Sequence, residues 1–104
     1  MGAQLLEHRR LFKRTKHEGG QIGSIFRNDP DNRLSYSLCD YSKSGISFVT
    51  AEKLDEHEVI KLLYNGQIVE LEVVWRKPVV QENSYRYGLV TVDQELNLLE
   101  VLSD

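Results

Sequence analysis

The chain reads as an all-β domain in which six short strands close, or nearly close, into a small barrel, with a flexible N-terminal arm before it and a short helix after it. Three observations predict this. Apolar and polar residues alternate over several short stretches, the two-residue repeat of a strand with one buried face. Turn residues separate these stretches, and many short strands in a chain of 104 residues favour closure, which removes exposed edges. From Asp93 the spacing changes, because Leu96, Leu99 and Leu102 recur at helical intervals. We therefore divide the single domain, 1–104, into an arm (1–17), a barrel (18–92) and a helical end (93–104).

Each element has a local reason. Leu5 and Leu6 are too few to hold a helix alone, and the basic run RRLFKR, Arg9 to Arg14, follows them. Gly19, Gly20 and Gly23 then loosen the chain ahead of a short strand through Gln21 to Phe26. Asn28, Asp29, Pro30, Asp31 and Asn32 make the clearest turn, with Pro30 fixing an angle and Asx side chains capping it. Leu34, Tyr36 and Leu38 alternate with Ser35, Ser37 and Cys39, so this strand delivers Asp40 to its end; Ile46 and Phe48 resume the alternation beyond DYSKSG. AEKLDEH, 51–57, is a polar connection with room for one helical turn.

Asn65 and Gly66 between apolar runs predict a tight hairpin joining Val59 to Tyr64 with Gln67 to Trp75. On its second arm Val69, Leu71, Val73 and Trp75 fall on one face by alternation. Lys77, Pro78 and Gln81 to Ser84 form a longer turn, and Tyr85 to Val92 the last strand, in which Gly88 marks a close backbone approach or a bulge. Asp93 is placed to cap the final helix, with Glu95 near its positive end; that helix either plugs the barrel or faces a partner.

Composition narrows the function. With 40% hydrophobic and 28% charged residues the chain has the make-up of a compact soluble domain, too small for a core plus a separate catalytic domain. No apolar run reaches membrane-spanning length and MGAQLLEHRR lacks a secretory pattern, so a cytoplasmic location without membrane insertion is expected. Leu6 stands where myristoylation of Gly2 would require Ser or Thr. The net charge of −3 hides an asymmetry: residues 1–17 carry five Lys or Arg against one acid, giving +4, and the other 8 basic and 15 acidic residues give −7. An acidic body repels long polyanions while a basic arm neutralises a small dianion, which favours a compact phosphate ligand over DNA or RNA. The lone Cys39 excludes an internal disulfide and reads as a small buried hydrophobe. His8, His17 and His57 show no metal spacing, and no phosphate loop or nucleophile motif is present, so neither an enzyme nor a bound cofactor is expected.

Two stretches carry chemistry. In DYSKSG, Asp40 is an acceptor-only carboxylate suited to the paired N1 and N2 donors of a guanine edge, Ser42 supplies a hydroxyl, and Gly45 permits backbone angles closed to other residues. The same residues would equally close an Asx or Ser turn with no ligand. In the basic run Arg10 and Arg14 are four apart, as are Arg9 and Lys13, so a helical turn would put each pair on one face. Guanidinium groups fork onto phosphate or the O6 and N7 edge of guanine, although a solvated terminus would also be basic. Trp75 is either packing or a platform for a purine ring.

Taken together, RRLFKR resembles the RxxxR motif of PilZ domains (Arg10 and Arg14, with Arg9 preceding), and DYSKSG resembles their [DN]xSxxG motif (Asp40, Ser42, Gly45). Order and separation agree, and the likeness extends through Val74 and Trp75 to YRYGL, Tyr85 to Leu89. Lys13, where proline is frequent, and the Gly-rich HEGGQIG depart from the pattern and bear on the arm's path. The resemblance implies a small antiparallel β-barrel acting as a bacterial receptor for cyclic di-GMP. It implies that Arg10 and Arg14 grip phosphate and guanine, that Asp40 and Ser42 read a guanine edge, and that Gly45 holds the turn. Arg9 implies a stacked ligand dimer, and a downstream effector protein is implied as the partner. Two other classes stand beside this one: an adaptor of the same fold that has lost the ligand, and a small barrel that binds single-stranded nucleic acid through Tyr, Trp and the arm.

Overall fold

The computed structural model describes residues 22–102 and the backbone of Thr15 and Lys16. Eight strands form one antiparallel sheet curled into a half-barrel. They are β1 (Thr15–Lys16), β2 (Ser24–Phe26), β3 (Arg33–Leu34), β4 (Tyr36–Tyr41), β5 (Gly45–Thr50), β6 (Val59–Tyr64), β7 (Gln67–Val79) and β8 (Ser84–Thr91). The spatial order is β1-β4-β5-β8-β7-β6-β2-β3. The expected six strands are the six with three or more residues, and two-residue ladders extend the sheet at both edges. No ladder joins β1 to β3 among the described residues, so the barrel wall is curled rather than sealed.

Alternation fills the concave side. Ile25, Tyr36, Leu38, Phe48, Leu62, Leu71, Tyr87 and Leu89 belong to one buried cluster, within which Phe48 sits 5.4 Å from Tyr36 and 6.0 Å from Tyr87, ring centre to ring centre. The Asn65-Gly66 turn forms as expected, with φ of 51° and 80° at its two central residues, the positive pair that matches strand twist. At the other turn Asp31 N–H donates to Asp29 Oδ1 at 2.9 Å and Asn32 N–H to Asp29 O at 2.9 Å.

Three segments differ from expectation. The connection 51–57 holds no helical turn, and its Leu54 is fully buried, with its N–H donating to Tyr87 Oη at 2.7 Å. Strand β7 runs straight through Lys77 and Pro78 because Pro78 still pairs opposite Tyr85; the turn is confined to Val80–Glu82 and Asn83. The C-terminal helix α1 is only Leu98–Val101, capped by Asn97, whose Oδ1 accepts from Leu99 N–H at 3.0 Å. Asp93 caps a separate turn through Glu95 N–H, because Leu98 and Leu102, four apart, are the residues that reach the core.

Candidate functional site

Two β-bulges build the site. In β4, Leu38 pairs with Phe48 and Asp40 with Ser47, leaving Cys39 as an extra residue. In β7, Val73 pairs with Leu89 and Trp75 with Gly88, leaving Val74 extra. One inserted residue reverses the parity of everything after it. Asp40 therefore leaves the core face that Tyr36 and Leu38 occupy, and Trp75 leaves the core face of Val69, Leu71 and Val73. This corrects the expectation that Trp75 shares their face: Val73 is fully buried and Trp75 is 40% exposed. Cys39 is only half-buried, since a bulge residue has no ladder partner to cover it.

The reversed parity aligns a single cross-strand row on the convex face. Lys16 pairs with Asp40, Asp40 with Ser47, Ser47 with Gly88 and Gly88 with Trp75. At about 4.8 Å between strands, roughly 14 Å separates the Asp40 end from the Trp75 end. A cleft of ≈ 370 Å³ lies over this row, and Asp40, Gly45, Ser47, Trp75, Arg86 and Gly88 line it. Arg86 crosses the row diagonally: its Nε donates to Ser47 Oγ at 3.0 Å, and its Nη2 stands 3.4 Å from Asp40 Oδ2. Lys77 Nζ lies 5.7 Å from the centre of the Trp75 ring, leaving that ring in a positive field.

The DYSKSG turn is fixed from three sides. Ser42 N–H donates to Gly45 O at 2.8 Å, Thr91 N–H to Ser44 O at 3.0 Å, and Leu98 N–H at the start of α1 to Lys43 O at 2.8 Å. Ser42 is buried in this turn and does not line the cleft. Gly45 opens β5 opposite Val90 and is not among the residues with positive φ, so an unusual backbone angle is not what distinguishes it. The structure thus brings Asp40, Gly45 and Trp75 to one cleft. Arg9, Arg10 and Arg14 lie outside the described residues.

Sequence reasoning missed Ser47 and Arg86. Ser47 occupies an ordinary strand position, and Arg86 joins the site only through the β5–β8 register. Gly88 did carry a signal, since a glycine inside a strand marks close approach; what approaches is the Trp75 ring. Among the described residues no group of His, Cys, Asp and Glu is placed to hold a metal ion, and no helix is long and apolar enough to cross a membrane.

The PilZ domain family model matches residues 8–103, nearly the whole chain. No curated protein and no solved structure matches this chain.

Proposed function

The chain belongs to the PilZ domain family, and from that premise we propose that it is a cytoplasmic receptor for cyclic di-GMP, bound on the convex face of the sheet, with no catalytic step. The observation that carries this reading is the row from Lys16 through Asp40, Ser47 and Gly88 to Trp75. It starts two residues after Arg14 in the sequence and ends on a half-exposed indole. Consecutive Cα atoms are about 3.8 Å apart, and Lys16, two residues from Arg14 in the sequence, pairs with Asp40.

In this reading Arg10 and Arg14 take phosphate and guanine edges, and Arg9 accommodates a second, stacked ligand. Asp40 accepts from a guanine N1 and N2 edge, the buried turn with Ser42 and Gly45 sets its position, and Trp75 supports a purine face. The cleft is at the low end of the roughly 300–1,000 Å³ usual for ligand pockets, so part of the dinucleotide extends beyond it toward the arm. Closure of the arm costs chain entropy, which the charge-assisted phosphate contacts must exceed; the closed arm offers an effector protein a new surface.

Calorimetric titration tests this directly. Saturable binding of cyclic di-GMP, two molecules per chain, with no comparable binding of linear GMP, is the expected result. No binding of the dinucleotide would leave the ligand-free adaptor, and tighter binding of a single-stranded oligonucleotide would establish the nucleic-acid reading instead.

A further inference from the structure

Arg86 lies outside both sequence motifs, yet its guanidinium occupies the middle of the site. It projects from β8 over Ser47, which is 2% exposed beneath it, with the Asp40 carboxylate on one side and the Gly88–Trp75 end of the row on the other. We infer that Arg86 is a guanine-reading residue, donating to O6 and N7 of the base whose N1 and N2 edge Asp40 accepts. The inference rests on the receptor reading above and deepens it: base specificity is then set within the sheet, and the arm arginines are left to the phosphates and the second base.

The contacts of Arg86 are those of a side chain held but not consumed. Its Nε and Nη2 are engaged, while a guanidinium carries donors on three nitrogens. The 3.4 Å approach to Asp40 exceeds the usual length of about 2.7–2.9 Å for a charge-assisted bond. Arg27 is the contrast. Its Nε and Nη2 close on Glu58 at 2.7 and 3.2 Å, and its Nη2 also donates to Lys53 O at 2.6 Å, so the same two nitrogens make three bonds where those of Arg86 make two.

The chemistry of the pair selects guanine. An acceptor-only carboxylate beside a donor-only guanidinium matches a base edge that presents N1–H and N2–H next to O6 and N7. Adenine offers an N6 amino group where guanine has O6, setting donor against donor at Arg86. Because the β4–β5 and β5–β8 ladders fix the spacing of the two groups, the discrimination does not depend on where the arm lies.

The test titrates wild type, Arg86→Ala and Arg86→Lys with cyclic di-GMP and with its 7-deaza analogue, in which C–H replaces N7. Wild type should prefer the natural ligand about tenfold, within the range of a bidentate base contact. Arg86→Ala should bind cyclic di-GMP about tenfold more weakly and no longer distinguish the two ligands. Arg86→Lys, which keeps the charge but not the fork, should fall between them. If Arg86→Ala weakens both ligands equally and keeps the wild-type preference, Arg86 merely props Asp40 and the inference is overturned. Equal binding of the two ligands by wild type also overturns it, with the receptor reading intact. If wild type binds neither ligand, the receptor reading falls first and this inference with it.

Discussion

The indole of Trp75 lies directly against the backbone of Gly88, so closely that a Cβ at position 88 would clash with the ring's Nε1 and Cε2. Glycine is required there for clearance, since Gly88 does not have a positive φ. Gly88→Ala should push the ring outward and cost the stacking of a ligand base, roughly 1–3 kcal/mol of affinity. Trp75 is the chain's one tryptophan, so its emission reports the displacement. Unchanged emission and unchanged affinity in this variant would remove Trp75 from the site.

Trp75→Ala separates a platform from a core residue. A buried tryptophan truncated to alanine costs about 3–5 kcal/mol of stability. At 40% exposure, on the convex face, Trp75 should cost only about 1 kcal/mol while ligand affinity drops by roughly 1–3 kcal/mol. Urea unfolding and ligand titration on the same variant decide; a large stability loss with affinity intact would return Trp75 to a packing role.

Arg10→Ala and Asp40→Ala should each weaken cyclic di-GMP by roughly 1–3 kcal/mol, the scale of one bidentate base contact. Each variant should unfold at nearly the same urea concentration as wild type. Titration of Arg10→Ala with unchanged affinity would show that the arm takes no part in binding.

Leu54 is the buried anchor of a segment that is otherwise polar and exposed. Its N–H donates to Tyr87 Oη at 2.7 Å, and the Tyr87 hydroxyl donates onward to Glu52 O at 2.8 Å. Leu54→Ala should cost about 2–5 kcal/mol of stability, measured by chemical unfolding. A loss below 1 kcal/mol, on the same scale, would mean the segment folds over the core without needing its anchor.

Burial raises the pKa of both Tyr36 and Tyr87, against the opposing effect of their backbone hydrogen bonds. The folded state therefore holds these phenol protons more tightly than the unfolded chain does. Their contribution to stability is complete below the unfolded value of about 10 and is lost as pH rises above it. Stability should fall by up to about 1.4 kcal/mol per pH unit for each tyrosine in that window. Tyr87→Phe should reduce the slope, while costing roughly 1–3 kcal/mol at neutral pH because the Leu54 N–H loses its partner. Urea midpoints from pH 8 to 11 check both effects; an unchanged alkaline slope in Tyr87→Phe would refute the assignment.

Much of the fold was legible because it rests on local rules. The Asn65-Gly66 hairpin, the Asp29 turn and the alternation of Leu34, Tyr36 and Leu38 depend on residues within a few positions of one another. The extent of α1 was not legible, since Leu96, Leu99 and Leu102 fit a helical stripe as well as the pair that packs, Leu98 and Leu102. Leu54 escaped notice because burial of a single apolar residue inside AEKLDEH leaves no periodic signal.

The sequence by itself determined the six longer strands, the turn chemistry, the charge split between arm and body, and the two motifs whose order carries the family resemblance. Only the tertiary structure decided which side of the sheet Asp40 and Trp75 occupy. Each is turned outward by one inserted residue, Cys39 or Val74, and a one-residue insertion is invisible until the partner strand fixes the count. Arg86 follows the same logic, because it reaches Ser47 and Asp40 through the pairing of β8 with β5 and of β5 with β4. A spacing along the chain cannot specify a distance across three strands.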